Sequence, residues 1–122
     1  MLFRSLCERS SGRLIGGCGL EHIDAADRAA MLGYAMNPRD WGHGYMTEGL
    51  RALVSFGFRE LELHRIWAHV AVNNARSVAV LERLGFRREG TLVDHQFLHG
   101  NWASSHVYAM LSREWSTAPA AL

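Results

Sequence analysis

Apolar residues recur along this chain with two different periods, and the switches between them outline its elements. From Tyr45 to Leu61 the apolar positions Leu50, Leu53, Val54, Phe58 and Leu61 fall three or four residues apart, while Glu48, Arg51, Arg59, Glu60 and Glu62 lie off that stripe. This is the pattern of an amphipathic helix with one buried face. A second helix is predicted over Ala75 to Leu84, where Val78, Leu81 and Leu84 face one way. Asn73 or Asn74 can supply its N-cap and Gly85 its C′ residue. Between the helices, Ile66, Ala68, Val70 and Val72 alternate with Trp67, His69 and Ala71, which is the period of a strand.

Three strands are predicted before the long helix: Phe3 to Glu8, Arg13 to Leu20 and Ala30 to Met36. Arg9-Ser10-Ser11-Gly12 supplies the first turn, Glu21 to Arg28 a polar connection, and Asn37-Pro38 a stop. Gly16, Gly17 and Gly19 weaken the second strand or mark a bulge in it. Two more strands, Thr91 to Leu98 and Trp102 to Leu111, form a hairpin around His99-Gly100-Asn101. The order β-β-β-α-β-α-β-β predicts an α/β (α+β) domain with a mixed sheet. With no repeats or linkers, one domain spans residues 1–122, and the tail 116–122 is expected to be disordered.

Composition narrows the class. In 122 residues, 48% apolar and 20% charged, there is enough apolar material for one core and too little charge for a disordered chain. No apolar run approaches the ~20 residues of a membrane span, and Glu8 and Arg9 come too early for a signal peptide. A soluble cytoplasmic domain with no membrane partner is expected. All 13 basic residues are Arg, so Schiff-base chemistry and a Walker-A phosphate loop are excluded. A net charge of +1 with Arg spread along the chain argues against a nucleic-acid partner. Cys7 and Cys18 are read as reduced thiols. His22, His43, His64, His69, His95, His99 and His106 show no metal-ligand spacing, so no metal is expected.

Chemistry concentrates in Arg39-Asp40-Trp41-Gly42-His43-Gly44, which follows a strand and opens the longest helix. Glycines let the backbone approach a ligand, and the first N–H groups of a helix form an anion site suited to a pyrophosphate. A second constellation, Asn73-Asn74-Ala75-Arg76-Ser77, leads through a helix into Leu84-Gly85-Phe86 and then Glu89-Gly90. With both motifs in this order, the chain resembles the GNAT N-acetyltransferase superfamily over about Phe3 to Trp115. Trp41-Gly42-His43-Gly44-Tyr45-Met46-Thr47-Glu48 and Glu89-Gly90 look most like its ribosomal-protein-alanine N-acetyltransferase branch.

The resemblance implies an N-terminally truncated, mostly antiparallel GNAT sheet with two main helices. It implies acetyl-CoA in a cleft where Leu32–Met36 and Ile66–Val72 splay apart. The backbone of Tyr34, Ala35 and Met36 would bond the pantetheine and acetyl groups. Arg39 and the amides of Trp41, Gly42, His43, Gly44, Tyr45 and Met46 would hold the pyrophosphate. Asn73 would bond the pantetheine arm. Arg76 is either a partner for the 3′-phosphate or a solvated surface residue. Ser77 matches a serine that relatives place near the CoA sulfur, where it would help the thiolate leave. Many superfamily members use a tyrosine four residues before the Gly-Phe pair; here that residue is Leu81.

A base must also remove a proton from the incoming ammonium. The ribosomal branch often has a carboxylate six or seven residues beyond Glu-Gly, where this chain has Gln96, which accepts no proton at neutral pH. In an alternating strand His95 points away from Asp94 and Gln96. Glu48 at the start of the long helix is the candidate base, with a water chain as the alternative.

The resemblance therefore implies an N-acetyltransferase that uses acetyl-CoA on a primary amine, a protein N-terminus or a small amine, by direct attack. The alternative is a non-catalytic acyl-CoA-binding or oligomerisation module derived from such an enzyme. The family's first strand and following helices would precede Phe3. A fragment, a natural short form, or a homodimer whose partner covers the bare face are the three expectations this raises.

Overall fold

The computed structural model describes residues 2–115, so the tail 116–122 lies outside the described residues. Six strands, β1 (Leu2–Cys7), β2 (Leu14–Asp24), β3 (Ala29–Met36), β4 (Arg65–Ala71), β5 (Arg87–Leu98) and β6 (Asn101–Leu111), form one sheet in the order β1-β2-β3-β4-β6-β5. Every neighbouring pair is antiparallel except β3–β4, which runs parallel. The mixed sheet expected from the residues is therefore present, and it is mostly antiparallel, as the resemblance implies.

Two long helices, α1 (Tyr45–Arg59) and α2 (Ala75–Arg83), pack on one face of the sheet, and a single turn, α3 (Ser112–Trp115), follows β6. Leu50, Leu53 and Val54 of α1 and Val80 and Leu81 of α2 share one buried cluster with Leu20, Leu32, Ile66, Val70 and Tyr108. The alternation of β4 sets its two faces. Ile66, Ala68 and Val70 are buried beneath the helices, whereas Trp67 is half-buried and His69 and Ala71 are exposed on the other face.

Pairing between β3 and β4 is short. Ala29, Ala30 and Met31 pair with Arg65, Ile66 and Trp67, and beyond Met31 and Trp67 the two strands are no longer paired. Each keeps its outer partner, since Met36 still pairs with Gly16 of β2 and Ala71 with Ser105 of β6. The backbone groups along the inner edges thus face a gap instead of each other, which leaves donors and acceptors for a ligand.

Several boundaries differ from the pattern reading. β2 continues past Leu20 to Asp24, because Glu21 pairs with Met31 and Asp24 with Ala29 even though the segment is polar. β5 begins at Arg87 instead of Thr91, and all twelve of its residues are exposed, so it carries no alternation to read. The turn after it uses positive φ at His99 (51°) and Gly100 (80°), the two-residue hairpin geometry that suits twisted strands. Cys7 and Cys18 are free thiols; Cys18 pairs with Arg4 and Cys7 with Leu14, so they lie far along the hairpin from one another.

Candidate functional site

The loop between β3 and α1 begins with a 3-10 turn at Pro38–Asp40 and ends on Gly44, the N-cap of α1. Gly44 has φ 75° and Gly42 φ 87°, and a Cβ on either would meet nothing within 4 Å. The glycines therefore present bare backbone to open space. Gly44 offers no side-chain cap, so the first amides of α1 are left for a ligand.

A half-buried ion pair ties this loop to the start of β2. Arg13, entering β2, donates to both oxygens of Asp40 at 3.1 and 2.8 Å, and Asp40 is only 3% exposed. The hydrogen bonds from Arg13 hold the Asp40 carboxyl below its ordinary range, against an opposing push from desolvation. A depressed carboxylate stabilises the fold above its unfolded pKa, about 3.9, and that stabilisation is lost as pH falls through the folded value. Melting midpoints measured from pH 7 down to pH 3 are expected to fall less for Asp40→Asn than for the parent chain. Parallel curves would show that the pair contributes no acid sensitivity.

The loop faces a cleft of about 630 Å³ between the end of β3 and the face of α2. Tyr34, Ala35, Met36, Trp41, Gly42, Gly44, Tyr45, Met46, Arg76 and Ser77 line it, and all of these were singled out from the sequence. Trp41 donates its indole N–H to Met36 O at 3.2 Å, and the Arg76 guanidinium stacks 4.2 Å above the Trp41 ring. Arg76 is thus neither freely solvated nor paired with a carboxylate; it closes one side of the cleft with its cationic head available.

Other expected residues stand outside this lining. Arg39 is exposed beside Asp40, His43 is exposed and stacks on Tyr45 at 5.3 Å, and Asn73 is exposed in the turn before α2. Glu48 is exposed on α1, next to the lining residue Thr47, and is not itself among the residues that line this cleft or the cavity described next. Its position in the first turn of α1 serves the helix dipole. Asn74 takes the place expected of Asn73: it lines the cleft and caps α2 by accepting from Ser77 N at 3.1 Å. Ala79, Val80 and Arg83 were missed, although they follow Arg76 at helical spacings of three, four and seven, which was a readable signal.

Where β3 and β4 part, a second cavity of about 320 Å³ opens through the sheet. Tyr34, Asn74 and Ser77 line both cavities. Ser77 Oγ donates to Tyr34 Oη at 2.8 Å, so a hydroxyl pair sits at the junction. Burial raises the Tyr34 pKa, only partly offset by the bond from Ser77, so the phenol stays protonated at neutral pH.

The far side of this second cavity overturns the expected alternation of β5. Between the pairs Leu92–Ser105 and Gln96–Ala103, the residues Val93, Asp94 and His95 face Ser104 alone. Asp94 adopts φ 48° and its amide donates to Ser104 Oγ at 2.9 Å. This bulge turns His95 back onto the sheet face of Gln96 instead of away from it. His95 Nε2 lies 2.8 Å from Ser105 Oγ, and its ring meets His69 edge-on at 5.9 Å. His69, Gln96 and Ser105 all line the second cavity.

A GNAT acetyltransferase domain model matches residues 3–87, the span that carries β3, the glycine loop, both helices and β4. The chain belongs to the GNAT acetyltransferase family. This GNAT domain is 38% identical over 104 residues to a putative ribosomal N-acetyltransferase of Bacillus subtilis, covering 85% of this chain and 57% of that protein. It is 32% identical over 111 residues to a spermidine N(1)-acetyltransferase of Vibrio cholerae, covering 90% of this chain and 64% of that one. A crystal structure of a probable acetyltransferase superposes with a TM-score of 0.83 at 37% identity, covering 86% of this chain and 58% of that one. The domain thus spans about six-tenths of the length of these relatives. Among the described residues no helix is long and apolar enough to cross a membrane, and no cluster of three or more potential metal ligands occurs.

Proposed function

We propose that the larger cleft binds acetyl-CoA and that the domain transfers its acetyl group to a primary amine by direct attack. The observation that carries this reading is the unpaired gap between β3 and β4 lying directly beside the uncapped start of α1. The residues present fit such a ligand. Gly42 and Gly44 leave space where side chains would block a pyrophosphate, and the amides of Gly42 to Met46, with Arg39 at the rim, supply donors and positive charge, whereas the Trp41 amide is already bonded to Pro38 O. Arg76 and Arg83 provide cations for the 3′-phosphate. The free inner edge of β3 at Tyr34 to Met36, with Asn73 and Asn74 opposite, receives the pantetheine arm. Ser77 and Tyr34 sit where the thioester would end, as neutral hydroxyl donors for a departing thiolate.

The acceptor enters through the second cavity, and relatives point to a protein N-terminal amine or a small amine. Neither free cysteine lines either cavity, which supports direct attack over an acetyl-cysteine route. The free thiols also fit the cytoplasm. A homodimer is supported by the exposed Phe97 and Trp102, whose rings meet at 5.1 Å on the β5–β6 hairpin, because exposed adjacent aromatic surface favours association.

The test is thermal unfolding with acetyl-CoA, with NADH and ATP as controls. At about 100 times its Kd, a ligand adds about 2.7 kcal/mol, a rise on the order of 10 °C for a domain this size. A cooperative melt that acetyl-CoA does not move would overturn the reading. Gln96, at the position where the ribosomal branch often has a carboxylate, favours the non-catalytic acyl-CoA module; sustained thiol release with any primary amine excludes that module.

A further inference from the structure

We infer that His69 is the base that takes the proton from the acceptor amine, an inference that rests on the acetyltransferase reading. A primary amine of ordinary basicity arrives at neutral pH as an ammonium ion with no lone pair to attack with. His69 lies on β4 two residues beyond the last β3–β4 pair, on the face opposite the helices, and it lines the second cavity. That cavity shares Tyr34, Asn74 and Ser77 with the cleft, so the space that His69 lines adjoins the junction where the thioester would lie.

The surroundings leave His69 as the group suited to the task. Tyr34 and His69 are the titratable residues of the lining, which holds no carboxylate and no guanidinium. Tyr34 is a protonated phenol and donates instead of accepting. Facing His69 from β5 are His95, already engaged with Ser105, and the neutral Gln96. From β6 come Ser105 and the register partner Val107, and from β3 Met31 and Gly33. Glu21 on β2 is a carboxylate on this face, its Oε1 3.4 Å from where a Cβ on Gly33 would stand. Among the described residues neither ring nitrogen of His69 has a hydrogen-bond partner. The ring is nevertheless held in place, edge-on to His95 at 5.9 Å and tilted against Trp67 at 6.2 Å. A fixed imidazole with a free nitrogen at a cavity wall is what proton abstraction requires.

The step balances as follows. One ammonium proton passes to a ring nitrogen of His69 and on to solvent. The freed lone pair forms the N–C bond to the thioester carbonyl carbon, and the C–S bond breaks with its electron pair on sulfur. The attacking nitrogen loses a second proton, which reaches the sulfur through the Ser77 and Tyr34 hydroxyls, so both hydroxyls finish neutral.

The experiment compares two acceptors at pH 7 with the parent chain, His69→Gln, Glu21→Gln and His95→Phe. One acceptor is an alkyl primary amine, fully protonated at this pH; the other is a hydrazide, already a free base. His69→Gln is expected to lower turnover of the alkyl amine about 100-fold while leaving the hydrazide within about threefold. The acetyl-CoA melting shift should be unchanged. Glu21→Gln should resemble the parent, and His95→Phe, which keeps a ring edge without a nitrogen, should stay well above His69→Gln. Equal loss with both acceptors, or a loss that follows Glu21 or His95 instead, overturns the assignment. The ¹⁵N chemical shifts of the His69 ring provide a readout independent of turnover. A change on adding the alkyl amine in the presence of CoA supports the assignment, and an unmoved ring overturns it. A melt insensitive to acetyl-CoA sinks the cofactor reading instead, and the His69 ring response to the amine alone then decides its role.

Discussion

Gly44→Val is expected to abolish the acetyl-CoA-dependent rise in melting temperature while preserving a cooperative unfolding transition. Gly44 sits at φ 75° as the N-cap of α1, and a Cβ there would point into space that nothing in the protein fills within 4 Å. The substitution therefore causes no internal clash. It does add strain of about 1–2 kcal/mol, because a β-branched residue is poorly accommodated in the left-handed region. The branched side chain would project where the pyrophosphate approaches the amides of α1. A loss of affinity of at least about 100-fold is expected, equivalent to about 2.7 kcal/mol. Gly44→Ala separates the two effects: it carries most of the strain with less obstruction, and should lose less affinity. Undiminished binding by Gly44→Val, measured by calorimetry, would remove the phosphate loop from the site.

Leu81→Ala should produce the largest loss of stability among single changes near the site. Leu81 is fully buried and, with Val80, anchors a helix of only nine residues to the shared core. Truncating such a residue removes transfer energy and leaves a cavity, at a cost of about 2–5 kcal/mol. Domains of this size are stable by roughly 5–15 kcal/mol, so the change consumes a large part of the total. The melting midpoint should drop by on the order of 10 °C or more in calorimetry. Because α2 also carries Asn74, Arg76, Ser77 and Arg83, acetyl-CoA affinity should weaken with it. A drop of only a degree or two would mean that α2 is held by its caps and loops and not by this contact.

Leu81 also illustrates how far the residues could be read. Its place in the helical stripe made it a core residue, and its place before Gly85-Phe86 ruled out a tyrosine donor at that position. The structure supplies a different phenol: Tyr34, from a strand 43 residues earlier than Ser77, bonds to it at 2.8 Å. That contact depends on β3 passing beneath the start of α2, and no local pattern in the sequence encodes it.

The loop and helix starts were legible because their chemistry is local. Glycines, an N-cap asparagine and the helical stripe act over a few residues, so reading them needs no knowledge of the fold. The same logic extended along α2 would have found Arg83. Proximity in sequence to the loop is a weaker guide: Thr47 lines the cleft, whereas the neighbouring Glu48 is exposed on α1 and is not part of the lining.

By itself, then, the sequence determined the order of elements, the mixed sheet, the glycine loop at the start of α1, the capped start of α2 and the family. Three things were decided only by the tertiary structure. The resemblance implied that β3 and β4 splay, but only the fold shows that their pairing is confined to three residues on each strand and ends at Met31 and Trp67. Arg13 reaches across 27 residues to neutralise the buried Asp40. A bulge at Asp94 turns His95 toward His69, against the alternation that the strand pattern implies. The physical reason is common to all three: pairing register and long-range contacts depend on which strands become neighbours, and that choice is made by the whole sheet and not by the residues of any one strand.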